Sequence, residues 1–151
     1  KRVTLEVSCD GWGEAVEYSR TGFSRKDFLH NLKIVMGHSN IIVSINCVVN
    51  VYSVWTLPDM EKFRQKLGIN IIYAPCYLPK HTNPQTLFKE DKETLKKLYA
   101  GNKNLEQVYT NFIAKDEPPV PRTLVDYNIT LDKYRNTNFF EVFPQYRKYR
   151  R

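Results

Sequence analysis

Apolar and polar residues alternate over Val3-Thr4-Leu5-Glu6-Val7-Ser8, the period of two that marks a half-buried strand. The run ends in Cys9-Asp10-Gly11-Trp12-Gly13, a turn-prone stretch. The period then changes. Phe28, Leu29, Leu32, Val35 and Met36 fall on one helical stripe, Ser24 with Asp27 three residues on resembles a capping box, and Gly37 can close the helix. A β-branched run from Ile41 to Val49 predicts a second strand. Thr56, Pro58 and Asp59 open a second helix whose apolar face is Leu57, Met60, Phe63 and Leu67, with Gly68 as its cap. Residues 69–73 predict a third strand that runs into Ala74-Pro75-Cys76-Tyr77. Strands and helices alternating in units of roughly 30 residues predict parallel βαβ connections.

Strands buried on both faces of a parallel sheet read as continuous apolar runs; these do not. Val3, Leu5 and Val7 oppose Thr4, Glu6, Ser8 and Asp10, while Ile41, Val43 and Ile45 oppose Ser44 and Asn46. Ile69, Ile71 and Tyr73 oppose Asn70 and Ile72 more weakly. One sheet face is therefore partly polar. Two architectures explain it: a barrel-like sheet around a ligand-bearing interior, or an open sheet with one solvated face. In both, ligands bind beyond the carboxyl ends of the strands. Those ends carry Ser8, Asp10 and Gly11, then Asn46 and Asn50, then Ala74 to Tyr77. Their short polar side chains suit a ribose, an amino group or a carboxylate.

The remainder is less regular. Helices are expected over 89–100, 105–114 and 124–134, with a proline-stiffened connector at 117–121. The aromatic segment Phe139-Phe140-Glu141-Val142-Phe143-Pro144 and a basic tail follow. The chain thus divides into a βαβαβ unit, 1–80, and a helical C-terminal segment, 81–151. It enters its first strand-like run at Lys1-Arg2-Val3, which reads as a piece of something longer.

Length and charge narrow the function classes. A chain of 151 residues with 13% aromatics can bury a core. No apolar run approaches the roughly 18–20 residues that span a bilayer, so no membrane partner is expected. Cys9, Cys47 and Cys76 are odd in number and far apart, which argues against a disulfide scaffold and fits a reduced, cytoplasmic setting. Asn128-Ile129-Thr130 reads as a chance sequon. His30, His38 and His81 lack metal-ligand spacing and read as surface residues. The net charge is +7, and Arg147, Lys148, Arg150 and Arg151 hold much of it. Interleaved with Tyr146 and Tyr149, they offer phosphate contacts with stacking support. A basic α/β module binding nucleic acid or a protein partner is the alternative to the reading that follows.

Val7-Ser8-Cys9-Asp10-Gly11, then Glu17-Tyr18-Ser19-Arg20, then Asn31-Leu32-Lys33, resembles the fourth-strand segment of radical S-adenosylmethionine enzymes. There a Ser-x-Asp-Gly strand end precedes an Arg and a helix with an Asn-Ile/Leu-Lys step. Ser44 to Asn50 with Leu57-Pro58-Asp59-Met60 is similar to the fifth strand and its helix, and Ile71 to Pro79 to the sixth. Leu131 to Arg135 with Phe139 to Pro144 looks like the ending of phage and marine-microbial, twitch-type members.

The resemblance implies a partial TIM barrel, of which this chain holds strands four to six. It implies that Ser8 and Asp10 meet the ribose side of S-adenosylmethionine and that Arg20 approaches its carboxylate. Asn46 would bond it from the fifth strand, and Ala74 and Pro75 would line the adenine. The family's C-x₃-C-x₂-C loop, which holds a [4Fe–4S] cluster, and its Gly-Gly-Glu strand have no counterpart in this sequence. Both belong to an N-terminal half. Enzymes of this family cleave the cofactor reductively to a 5′-deoxyadenosyl radical, and this chain alone is expected not to. A half-barrel also leaves an unpaired strand edge, so a homodimer is expected if the N-terminal half is not the partner. Phe139, Phe140 and Phe143 would add apolar surface unless they fold back on their own chain.

Overall fold

The computed structural model describes residues 1–150. Three parallel strands, β1 (Val3–Ser8), β2 (Ile41–Val49) and β3 (Asn70–Pro75), form one sheet in the order β1-β2-β3. Between β1 and β2 lie a short α1 (Glu14–Ser19), which the sequence pattern does not announce, and α2 (Arg25–Met36). The Ser24 hydroxyl oxygen accepts the Asp27 N–H and starts α2 as its capping residues predict. Helix α3 (Leu57–Leu67) joins β2 to β3 and ends at Gly68 in the left-handed conformation, φ 65°. Thr56 does not cap it through its side chain. Its hydroxyl donates to Ser53 O and accepts the Trp12 N–H, tying the β1–α1 turn to the β2–α3 loop.

Right-handed crossovers put successive helices of such a sheet on one face, and α2 and α3 share a groove lined by Leu29, Leu32, Met36, Phe63 and Leu67. Val43, Ile45, Cys47 and Val49 of β2 face this layer and are buried. The other face is open. Its register rows are Thr4–Ile42, Glu6–Ser44–Asn70, Ser8–Asn46–Ile72 and Val48–Ala74, and Ile42 and Ile72 stand 52% and 40% exposed there. The chain is thus α/β with an open three-stranded parallel sheet, as the alternating pattern predicts.

Helices α4 (Lys89–Tyr99), α5 (Lys103–Val108, widening into a π turn over Tyr109–Ile113), α6 (Pro121–Arg135) and α7 (Phe139–Val142) complete the chain with a 3₁₀ turn at Pro144–Tyr149. They close over the carboxyl end of β2. Tyr146 Oη donates to Val51 O at 2.7 Å and accepts from Trp55 Nε1 at 2.8 Å, and Tyr99 Oη donates to Val54 O. The Glu61 carboxylate, buried on α3, accepts from Tyr73 of β3, Arg64 and Asn104 of α5. One buried cluster runs from Cys9 to Tyr149.

Two expectations about the tail are corrected. Phe139, Phe140 and Phe143 are buried among Tyr18, Tyr52 and Tyr146 and offer no surface to a second copy. Tyr146 and Tyr149 are buried too, stacked at 5.6 Å, and cannot stack on bases. Lys148 pairs with the buried Asp91 and Arg150 lies over the Phe140 ring. The stacking partners of a nucleic-acid tail are therefore core residues. Arg151 lies outside the described residues. No helix among the described residues is long and apolar enough to cross a membrane.

Candidate functional site

Parallel pairing sets Ser8 beside Asn46 at the carboxyl ends of β1 and β2, on the open face. Past that pair the backbone of β1 turns away through Gly11, whose φ of 128° favours glycine. Asp10 stays behind. Its Oδ1 accepts the Val48 N–H at 2.9 Å, replacing the next backbone bond of the ladder, and its Oδ2 lies 3.5 Å from Arg20 Nη1. Arg20 follows α1, whose six residues bring the chain back over β1. The four polar residues singled out by sequence thus converge: Ser8 exposed, Asp10 and Arg20 paired, Asn46 between them and β3. Ala74 sits across from Val48 on the same face. Pro75, one residue on, shares the parity of Val49 and so belongs to the other face.

Asn46 carries the unusual feature. Its Oδ1 is sealed from water and has no hydrogen-bond partner among the described residues, a state that buried carbonyl-type oxygens rarely keep. The Asp10–Arg20 pair is half-exposed and long, and such pairs contribute little to stability. Arg20 retains N–H donors beyond this contact. Asn50, also at the end of β2, acts locally, its Oδ1 accepting the Tyr52 and Ser53 N–H groups and so shaping the loop.

The thiols do not fit an iron–sulfur cluster. Burial, with Asp10 adding, pushes the Cys9 thiol up to about 12, and Cys47 rises for the same first reason. Cluster ligands are thiolates. Cys9 Sγ bonds Gly11 O, and Cys76 Sγ bonds Leu78 O and Thr82 Oγ1. No three His, Cys, Asp or Glu side chains are grouped for a metal among the described residues.

A second constellation escaped the sequence reading. A cavity of about 210 Å³ lies between α1, the loop after β2, the Lys80–Thr82 turn and α6. Tyr18, Tyr52, His81, Tyr127, Asn128 and Arg135 line it. Asn128 is fully buried. Its Nδ2 donates to Leu124 O and to Tyr52 Oη at 3.1 Å, and its Oδ1 lies 3.1 Å from Tyr18 Oη, whose one proton it shares with Asp132, so the sequon asparagine is a core polar link. Desolvation, despite the hydrogen bond to Asn128, takes the Tyr52 hydroxyl up to about 12. His81 is half-buried: its ring lies 4.5 Å from that of Tyr127, its Nε2 is sealed and has no partner among the described residues, and burial lowers its pKa. These six residues come from four separate segments, and no spacing rule links them. Comparison with protein-family models, curated proteins and solved structures finds no match to this chain.

Proposed function

We propose that this chain supplies the last three βα units of a radical S-adenosylmethionine-type partial barrel and, on its open face, part of the S-adenosylmethionine site. One observation carries the proposal. The orphaned Asn46 oxygen stands next to Ser8 and the Asp10–Arg20 pair, where parallel α/β sheets receive ligands. Asn46 Oδ1 takes an N–H or O–H of the ligand. Ser8, exposed, bonds a ribose hydroxyl. Asp10 holds Arg20 so that the remaining guanidinium donors face a carboxylate. The bound cofactor supplies hydrogen-abstracting chemistry only with a cluster, and the thiols of this chain are unsuited to hold one. The chain's own part is to bind and orient. Ile42 and Ile72 on the open face call for a cover, which in this reading is the N-terminal half; a second copy in its place is the other occupant.

Titration of the chain with S-adenosylmethionine, followed by amide and side-chain chemical shifts, tests the proposal. The expected result is saturable shifts centred on Ser8, Asp10, Arg20 and the Asn46 carboxamide. Affinity should be on the order of millimolar, because half of the contacts are missing. An Asn46→Ala variant that keeps its fold should lose them. Shifts absent, scattered elsewhere or unchanged in Asn46→Ala would overturn it.

A further inference from the structure

The cavity between α1 and α6 has a charge and donor pattern of its own, independent of the open-face site. Arg135 is its one charged lining residue among the described residues. Its Nη1 donates to Tyr18 O at 3.3 Å, and the other donors of the fork have room to serve a second acceptor. Asp132, one turn earlier on α6, is already engaged, accepting from Tyr18 Oη, Thr137 Oγ1 and the Phe139 N–H. It does not neutralise the cavity side of Arg135 by direct contact. In the same lining stands His81, with an imidazole nitrogen that no group among the described residues satisfies. Burial lowers its pKa below the usual 6.5, so the neutral ring can carry its proton on Nε2 and offer it to a ligand acceptor. The rings of Tyr18, Tyr52 and Tyr127 form apolar walls between the two. At about 30 Å³ per water, 210 Å³ holds a group of a few heavy atoms.

We propose that this cavity binds a small oxyanion, a carboxylate or a phosphate, with Arg135 as its charged anchor and His81 as its second donor. The bound oxygens give the guanidinium a charge-assisted partner and the imidazole the acceptor it lacks. Tyr127 orients the imidazole through a tilted ring contact. Asn128, by fixing both tyrosine hydroxyls, keeps the walls in place. Both are positioning residues.

The test is a titration of the full chain with sodium phosphate and, separately, sodium acetate, against sodium chloride at matched ionic strength. The His81 ring signals are the readout. A saturable shift with either oxyanion beyond that of chloride is expected. Phosphate alone giving it identifies a phosphoryl ligand, and acetate alone a carboxylate. Arg135→Gln should weaken the binding by about tenfold or more, as loss of a charged hydrogen bond does, and Arg135→Lys should fall between. The bound anion also raises the pH at which His81 titrates. The titratable groups around it are Tyr127 and Arg135 of α6, Tyr18 of α1, Tyr52, and Cys76 through Thr82. Asp132 stands behind Tyr18. A His81 response no larger than with chloride overturns the proposal, as does one equal in wild type and Arg135→Gln. If Arg135→Gln fails to fold, Arg135→Lys and the wild-type comparison with chloride decide.

Discussion

Asp10 and Val48 are joined where the backbone of β1 has already left the sheet. The Asp10 carboxylate accepts the Val48 N–H at 2.9 Å, two residues beyond the Ser8–Asn46 pair. A side chain thus completes the ladder and, in the same position, presents its second oxygen to Arg20. Asp10→Ala leaves a part-buried N–H unpaired and should cost about 1–2 kcal/mol. Asp10→Asn keeps the acceptor and loses only the half-exposed ion pair, so its cost should be less than half as large. Urea unfolding of the two variants separates these outcomes; equal losses would mean that the ion pair, not the ladder bond, dominates.

Gly11 sits one residue further along the same turn. A Cβ there would stand 3.0 Å from Thr56 Oγ1 and 3.3 Å from Ser53 Cα, at φ 128°. Gly11→Ala should therefore destabilise by about 2 kcal/mol or more. It should also shift the Trp12 amide signal, because the Thr56 hydroxyl that receives its N–H is displaced. A variant as stable as wild type would show that the turn relaxes freely.

Tyr146→Phe removes one oxygen and strands two groups, the Val51 carbonyl and the Trp55 indole N–H. The ring packing against Phe139 and Tyr149 stays. The expected loss is about 2–3 kcal/mol by denaturant unfolding. A matching change in Trp55 fluorescence should accompany it in the native state.

The Asp91–Lys148 pair sets a pH dependence. Burial raises the Asp91 pKa above the usual carboxylate value of 3.8, with Lys148 opposing the shift. A carboxyl whose folded pKa is raised favours the fold most below the unfolded value, and that contribution falls as pH climbs through the folded one. Lys148→Met removes the opposing cation. It should cost about 1–3 kcal/mol at pH 7, discounted because Lys148 is half-exposed. The difference from wild type should close below about pH 4, where Asp91 is protonated in both states. Unfolding curves at pH 3 and pH 7 measure it.

The strands and the two crossover helices were legible because their signals are local. Period two set the faces of β1 and β2, and Ser24 and Gly68 marked helix ends that the structure keeps. Helix α1 was not legible: its six residues are too few for a period, and its buried Ala15, Val16 and Tyr18 answer to α6 and α7. Thr56 has the sequence of a cap, yet a partner 44 residues away claims its hydroxyl. Of the open-face site, strand alternation and register brought Ser8, Asp10 and Asn46 together. The oxygen left unpaired on Asn46 depends on what lies above it, which no spacing reports. Tyr18 and Asn128 meet across 110 residues, so the second cavity had no signature along the chain.

The bonds from Tyr146 to Val51 and from Tyr18 to Asn128 close loops of 95 and 110 residues. Such distant contacts form late, after the entropy of closing the loop has been met. During synthesis, therefore, the βαβαβ portion waits with its aromatic loop around Tyr52 bare to solvent until the segment at 139–149 arrives. The sheet is thus made before the segment that secures it, which leaves the nascent chain, more than the finished protein, exposed to aggregation and to chaperones.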